Sequence, residues 1–282
     1  MPELPEVEVV RRTLLPIVGS RVTGVWGSGQ PLHMNRPVDL DAIRAASVGG
    51  VVEEIRRWGK YLMLDFVDRP HFILIHLGMT GRLSRTAATA TRASHTHIVF
   101  YLERDREMVE LRYSDPRRFG QLSLAERGRE RLHPALAKLG PDPLGQAITG
   151  DYLWSRTRGS NRHIKTLLIE QSLVAGIGNI YASEALWRAR IQPTARANRL
   201  SRQRLDALAE AIAHVLARAL RHGGTTLRDF VAADGAQGQH FQYLTVYARA
   251  GQTCARRECA GQIRRQVVQG RATFFCPRCQ RR

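Results

Sequence analysis

The chain begins MPELPE. Removing Met1 would leave Pro2 as a free secondary amine with the carboxyl of Glu3 beside it. A terminal amine titrates near about 8, against about 10.4 for a lysine side chain, so at neutral pH a useful fraction is an unprotonated nucleophile with no buried pocket required. Its adduct with a carbon electrophile is an iminium with no N–H to lose, which stays positive and draws electrons from the neighbouring carbon. Glu3, one residue away, is the candidate general acid/base. If Met1 is kept, the same stretch reads as the start of a helix, with Pro5 in the first turn and Glu6 and Glu8 at its positive end. Glu6 fits either reading.

A second set of chemically capable residues closes the chain. Cys254 and Cys259 are separated by four residues, Cys259 and Cys276 by sixteen, and Cys276 and Cys279 by two. Two close pairs on a ribbon-length spacer match a tetrahedral site for one Zn2+ held by four sulfurs. Such a site has no open position, so it is structural. A tail this short has little core, and the metal would supply much of its folding energy. The alternative, two disulfides, sits poorly with a chain that opens without a secretory leader.

The chain of 282 residues carries 43 Lys+Arg against 25 Asp+Glu, a net charge of +18. That excess favours a polyanionic partner, nucleic acid before anionic membrane. Genomic drift toward arginine codons explains 40 Arg beside only three Lys, but not the excess over acids. Where arginine has replaced most lysines, Lys60, Lys138 and Lys165 are candidates for positions needing a compact ammonium. No run of eighteen apolar residues occurs, so no membrane span is expected. Aromatics are 7% of residues, too few for the stacking platforms of an RNA-binding module.

Two kinds of element must position these groups. After a short helix at residues 5–15, strand-like runs recur at 21–26, 51–58, 60–67, 71–77, 96–102 and 107–113, alternating or rich in β-branched and aromatic residues. Strands without long intervening helices predict an antiparallel sandwich or barrel. The small, polar stretch 84–95 reads as a loop. Prolines and glycines over 131–150 read as a linker. Helices follow at 163–174 and 179–190 around the break AGIG, and at 201–222 until Gly223-Gly224. QIRRQVVQGRATFF reads as a hairpin turning near Gln269-Gly270.

MPELPEVE, GKYL with Lys60, HLGMTG (76–81), DPRRFG (115–120), GIGNIYASEAL (176–186), GGTTLRDF (223–230) and the four-cysteine ribbon occur in that order along the whole chain. Together they resemble the formamidopyrimidine-DNA glycosylases, base-excision repair enzymes that also cut at the abasic site. Val7 stands where the related endonuclease VIII branch has Gly, which favours the oxidised-purine branch. The resemblance implies an α+β multidomain fold: an N-terminal catalytic β-sandwich with a leading helix (1–130), a linker (131–150), a helix–two-turns–helix domain with a lesion loop (151–239) and a C-terminal zinc ribbon (240–282).

It also implies roles. Pro2 attacks the sugar, Glu3 handles its protons, and Lys60, grouped with them as catalytic, contacts phosphates flanking the lesion. Glu6 falls where the family has a second carboxylate. A flipped nucleotide leaves a void, which apolar wedges and a hydrogen-bonding Arg can fill. Met79, Arg117 and Phe119 match the family's void-filling trio, with Arg117 facing the orphaned base, cytosine. Arg118, Lys165, Asn179 and Arg271 are the remaining expected DNA contacts, Asn179 also as a cap of the following helix. Residues 224–241 resemble the lesion-capping loop. The chain departs from the family's pattern in the four-residue spacing of Cys254 and Cys259, in His240-Phe241-Gln242, and in Thr166 where proline is frequent. The implied partner is double-stranded DNA carrying a damaged base, bound by a monomer in the cytoplasm near the nucleoid. Rival readings are the same chemistry on oxidised pyrimidines, or a non-catalytic zinc protein that recognises distorted DNA.

Overall fold

Glu3 is extended and ends the N-terminal approach, and helix α1 (Leu4–Leu14) starts directly after it. Pro5 sits in the first turn, where the missing N–H costs nothing. Leu4, Val7, Val10 and Leu14 return to one face at helical spacing and are fully buried. That face packs on a sandwich of two four-stranded antiparallel sheets. The strands are β1 (Arg21–Gly27), β2 (Val52–Trp58), β3 (Tyr61–Phe66), β4 (His71–His76), β5 (Arg82–Ala87), β6 (Thr96–Arg104), β7 (Glu107–Ser114) and β8 (Gln121–Glu126), with helix α2 (Leu40–Ser47) between the first two. One sheet has the order β1-β6-β7-β5 and the other β2-β3-β4-β8. Phe100, Leu111 and Tyr113 from the first share one apolar core with Leu64, Ile73 and Leu122 from the second.

This topology has a local result that matters below. The connection 77–81 leaves β4 of one sheet and enters β5 of the other, while 115–120 leaves β7 and returns to β8. Since β5 pairs with β7 and β4 with β8, the two crossings run side by side, framed by the pairs Arg82–Ser114 and His76–Gln121.

The structure is a computed structural model and describes residues 1–32, 38–225, 232–236 and 238–281. They fall into two compact units, one of 1–137 with 222–239, the other of 138–221 with 240–282. In the second, helices α3 (Gly150–Thr157), α4 (Ile164–Ile169), α5 (Asn179–Arg188) and α6 (Arg202–Arg221) accompany the hairpin β9 (Arg264–Val268) and β10 (Arg271–Phe275). The break between α4 and α5 is braced by one side chain. Gln171 donates to the carbonyls of Ile169 and Ile177 at 3.0 and 2.8 Å and accepts from Gly176 N–H at 2.8 Å. Gln269 and Gly270 both take positive φ, +46° and +72°, so the hairpin turns at the expected pair.

Several expectations need correction. The first four residues of the loop expected over 84–95 belong to β5: the ladder to β7 fixes them, and in β5 only Leu83 is a buried apolar residue. β8 was legible in the alternation of Leu122 and Leu124 but was not anticipated. Neither was α2, whose Asp39 caps it by accepting from Ala42 N–H at 2.9 Å. The helix expected over 163–174 ends at Ile169, whose carbonyl accepts from the Gln171 side chain instead of continuing the helix.

Candidate active site

Pro2 and Glu3 are buried at the head of α1, whereas Met1 is 50% exposed. Glu6 holds this head in place: its carboxylate accepts from Glu3 N–H at 2.8 Å through one oxygen and from Thr225 N–H at 2.7 Å through the other. Gly224 lies against the same carboxylate, where an added Cβ would come within 3.2 Å of it. Glu6 thus ties the candidate nucleophile's backbone to the start of the segment expected to cap the lesion. Residues 226–231 and Gln237 of that segment lie outside the described residues.

One turn further along α1, Glu8 gathers Arg11, Arg12 and Arg57, each at 2.9 Å. Burial would raise the Glu8 carboxyl, but hydrogen bonds from the three guanidiniums outweigh it and lower it to about 2. Arg57 also donates to Gly59 O at 3.0 Å. Gly59, at φ +59°, and Lys60 form the turn between β2 and β3, and Lys60 is 5% exposed. Arg57 and Glu8 therefore fasten the Lys60 turn to the helix that begins with Pro2 and Glu3.

The two crossings between sheets carry Met79, Arg117, Arg118 and Phe119. Met79 and Phe119 are 40% and 39% exposed, apolar side chains standing in solvent at loop tips. Arg117 is exposed, its guanidinium 4.7 Å from the centre of the Phe119 ring. Arg118 takes φ +55° and donates to Gln30 Oε1 at 3.1 Å. Beneath them lies Asp115, with no exposed surface.

In the second unit, Lys165 and Asn179 converge on one carbonyl. Lys165 is 1% exposed and donates to Thr273 Oγ1 at 2.7 Å and Ala272 O at 3.3 Å. Asn179 Nδ2 donates to the same Ala272 O at 2.8 Å, and its buried Oδ1 has no partner among the described residues. Asn179 is the first helical residue of α5, not its cap; the cap position belongs to Gly178. Both side chains brace the hairpin next to exposed Arg271. Thr166, at the position of the frequent proline, is buried, and its hydroxyl has no partner among the described residues.

The four cysteine sulfurs lie within 4.8 Å of one another, Cys254–Cys279 at 3.8 Å and Cys259–Cys276 at 3.6 Å. A metal ion can bridge them. Burial and the neighbouring thiols push the Cys279 thiol up to about 12, whereas Cys254 is lowered despite burial by the Arg256 N–H and the Trp187 indole, whose Nε1 is 3.3 Å away. The longer spacing between Cys254 and Cys259 has a use: it carries Arg256, whose guanidinium donates to Trp187 O at 3.0 Å and lies over the Trp187 ring. Sequence reasoning missed Glu184, which is 5% exposed and accepts from the backbone N–H groups of Thr245, Val246 and Tyr247 at 2.8–2.9 Å. It pins the lead into the ribbon to α5. A single Glu among the mostly apolar residues of α5 was the available signal.

Family models confirm what this architecture suggests. The Formamidopyrimidine-DNA glycosylase N-terminal domain matches residues 1–122 and the Formamidopyrimidine-DNA glycosylase H2TH domain matches 139–231. A formamidopyrimidine-DNA glycosylase of Xanthomonas campestris is 43% identical over the full length of both chains. Among solved structures, a Lactococcus lactis Fpg mutant bound to Fapy-dG DNA matches with TM-score 0.89 and 32% identity, covering all of both chains. MutM bound to DNA containing carbocyclic 8-oxo-G matches with TM-score 0.88, also at 32% identity and full coverage. The chain belongs to the formamidopyrimidine-DNA glycosylase family, with its N-terminal sandwich, H2TH helices and four-cysteine ribbon. Among the described residues no helix is long and apolar enough to cross a membrane.

Proposed function

We propose that this chain excises oxidised purines, 8-oxoguanine and formamidopyrimidines, from duplex DNA and then cuts the strand at the abasic site. The observation that carries the proposal is the head of α1, where Pro2 and Glu3 are buried together and Glu6 holds the backbone between them and Thr225. After Met1 is removed, the Pro2 nitrogen lone pair attacks C1′ and the C1′–N bond to the base breaks, its electron pair leaving with the base, which takes up the proton lost from the Pro2 N–H. Glu3 gives a proton to O4′ as the C1′–O4′ bond opens, leaving a positively charged iminium. Loss of a C2′ proton then expels the 3′ phosphate, and a second elimination expels the 5′ phosphate. Water releases Pro2 from the remaining sugar fragment.

Lys60 supplies a compact positive charge to the phosphates next to the flipped nucleotide. Met79, Arg117 and Phe119 fill the vacated space, with Arg117 reading the orphaned cytosine, and Arg118 holds the backbone. Arg271, on a hairpin braced by Lys165 and Asn179, adds a phosphate contact. The cysteines fit one structural Zn2+: thiolates at about 2.3 Å from zinc define a tetrahedron with edges of about 3.8 Å, two of the sulfur pairs are 3.8 and 3.6 Å apart, and all four sulfurs lie within 4.8 Å of one another. Zinc would deprotonate Cys254, Cys259, Cys276 and Cys279 and close the ribbon, with no part in the reaction. The protein works as a monomer where the chromosome lies.

The test is borohydride trapping on an 8-oxoguanine·cytosine duplex with mass spectrometry of the crosslinked N-terminal peptide. An adduct on Pro2 supports the proposal. Excision at full rate by protein that retains Met1, or an adduct on another residue, overturns it. A matched oxidised-pyrimidine duplex separates the nearest rival substrate class.

A further inference from the structure

The proposed function leaves Asp115 without a task, yet its buried carboxylate accepts four hydrogen bonds. One oxygen accepts from the Thr80 hydroxyl and from Arg117 N–H at 3.2 Å; the other accepts from Gly120 N–H at 2.8 Å and the Tyr113 hydroxyl at 3.2 Å. The backbone joins in: Asp115 O accepts from Arg118 N–H at 3.1 Å and lies 3.0 Å from His97 Nε2. Thr80 follows Met79 on one crossing; Arg117 and Gly120 bracket Phe119 on the other. The Thr80 oxygen also accepts from Arg117 N–H, at 3.3 Å. Two loops that leave opposite sheets are thus bonded to a single carboxylate.

The packing leaves no slack. A Cβ on Gly78 would come within 2.5 Å of Gly120 N, and one on Gly120 within 1.6 Å of the Tyr113 hydroxyl. The two crossings touch backbone to backbone, closer than any side chain allows. Burial and the adjacent carboxylate both push the Tyr113 phenol up, so it stays protonated and remains a donor.

We infer that Asp115 is a positioning residue that locks the Met79 turn and the Arg117–Phe119 turn into one rigid wedge, so that filling the void and reading the opposite base are a single event. The inference rests on the proposed function and deepens it. A wedge made of two independently moving loops would pay ordering entropy for each on every encounter; one held together in advance does not. It also fixes the Arg117 backbone relative to Met79, so discrimination of the opposite base depends on a residue that touches no DNA.

The test uses the full chain with Asp115→Asn, Thr80→Val and Thr80→Ser. Excision of 8-oxoguanine is measured opposite cytosine and opposite adenine, with 2-aminopurine beside the lesion reporting unstacking. A preformed abasic site opposite a one-nucleotide gap, where no base needs replacing, is trapped with borohydride. Losing one hydrogen bond to a charged group predicts about a tenfold or greater fall in kcat/KM opposite cytosine for Asp115→Asn and Thr80→Val. The cytosine-to-adenine ratio and the 2-aminopurine signal fall with it, gap trapping stays within about twofold of the unaltered protein, and Thr80→Ser recovers both losses. If Asp115→Asn fails to fold, Thr80→Val decides. Unchanged ratio and unstacking in the folded variants overturn the inference. Absence of excision and trapping by the unaltered protein overturns the proposed function instead.

Discussion

Replacing Glu8 by Gln tests the fastening of the Lys60 turn to α1. Glu8 is 5% exposed and its carboxyl is lowered from 4.5 to about 2 by Arg11, Arg12 and Arg57. The depressed value means the contribution is fully present above about pH 4.5 and is lost as pH falls toward 2. At 1.36 kcal/mol per pH unit the shift corresponds to about 3 kcal/mol at neutral pH. A similar figure follows from the other side: Arg57 is 5% exposed in its side chain, and stripping a buried charge of its partner costs about 3–5 kcal/mol. Urea denaturation of both proteins should therefore differ by about 3 kcal/mol at pH 7, shrinking to about 1 kcal/mol by pH 3. Because Arg57 also holds Gly59 O, affinity for abasic DNA should fall in parallel. A stability difference below about 1 kcal/mol at pH 7, or one that does not change with pH, would refute the assignment of Glu8 as a charged clamp.

Other perturbations probe separate parts. Glu3→Gln should slow excision by about 10²–10⁴-fold while leaving binding to an uncleavable abasic analogue intact, as read by stopped assays and fluorescence anisotropy. Arg271→Ala should weaken all duplexes alike and reduce the slope of log affinity against log salt by about 1. A strong chelator should release four titratable thiols and abolish DNA binding, since Arg271 sits on the ribbon the metal closes; a dithiol reagent and anisotropy follow both. Glu184→Gln should expose the Thr245–Tyr247 amides to hydrogen exchange at a cost of about 1–3 kcal/mol.

Much of this architecture is legible in the residues. Strong β alternation announces the inner strands, and Gln269-Gly270 announces its own turn because glycine takes a positive φ without a steric penalty. The cysteine spacing gives the metal site. What escapes is structure made by partners distant in the chain. β5 is a strand because β7 lies beside it, not because SRTA prefers one. Lys165 stands out as a rare lysine, but nothing local says that it is buried against Thr273, a contact spanning more than a hundred residues of sequence. Asp115 stands in a visible motif, but nothing local says that its carboxylate reaches the Thr80 turn. Met79 and Phe119 illustrate the reverse: each stands beside a glycine, Gly78 and Gly120, and both are exposed.

The path of the chain has a consequence for biosynthesis. It leaves the first unit after residue 137, builds helices, returns for 222–239 and departs again for the ribbon. The returning stretch is anchored through Thr225 on Glu6, Ala233 N–H on Thr13 and Arg85 N–H on Ala233 O. While the polypeptide is still emerging from the ribosome, the sandwich can condense, but the setting around Pro2 and Glu3 stays unfinished until Thr225 and Ala233 have been made. A prematurely terminated product would keep the candidate nucleophile and lack the scaffold that aims it.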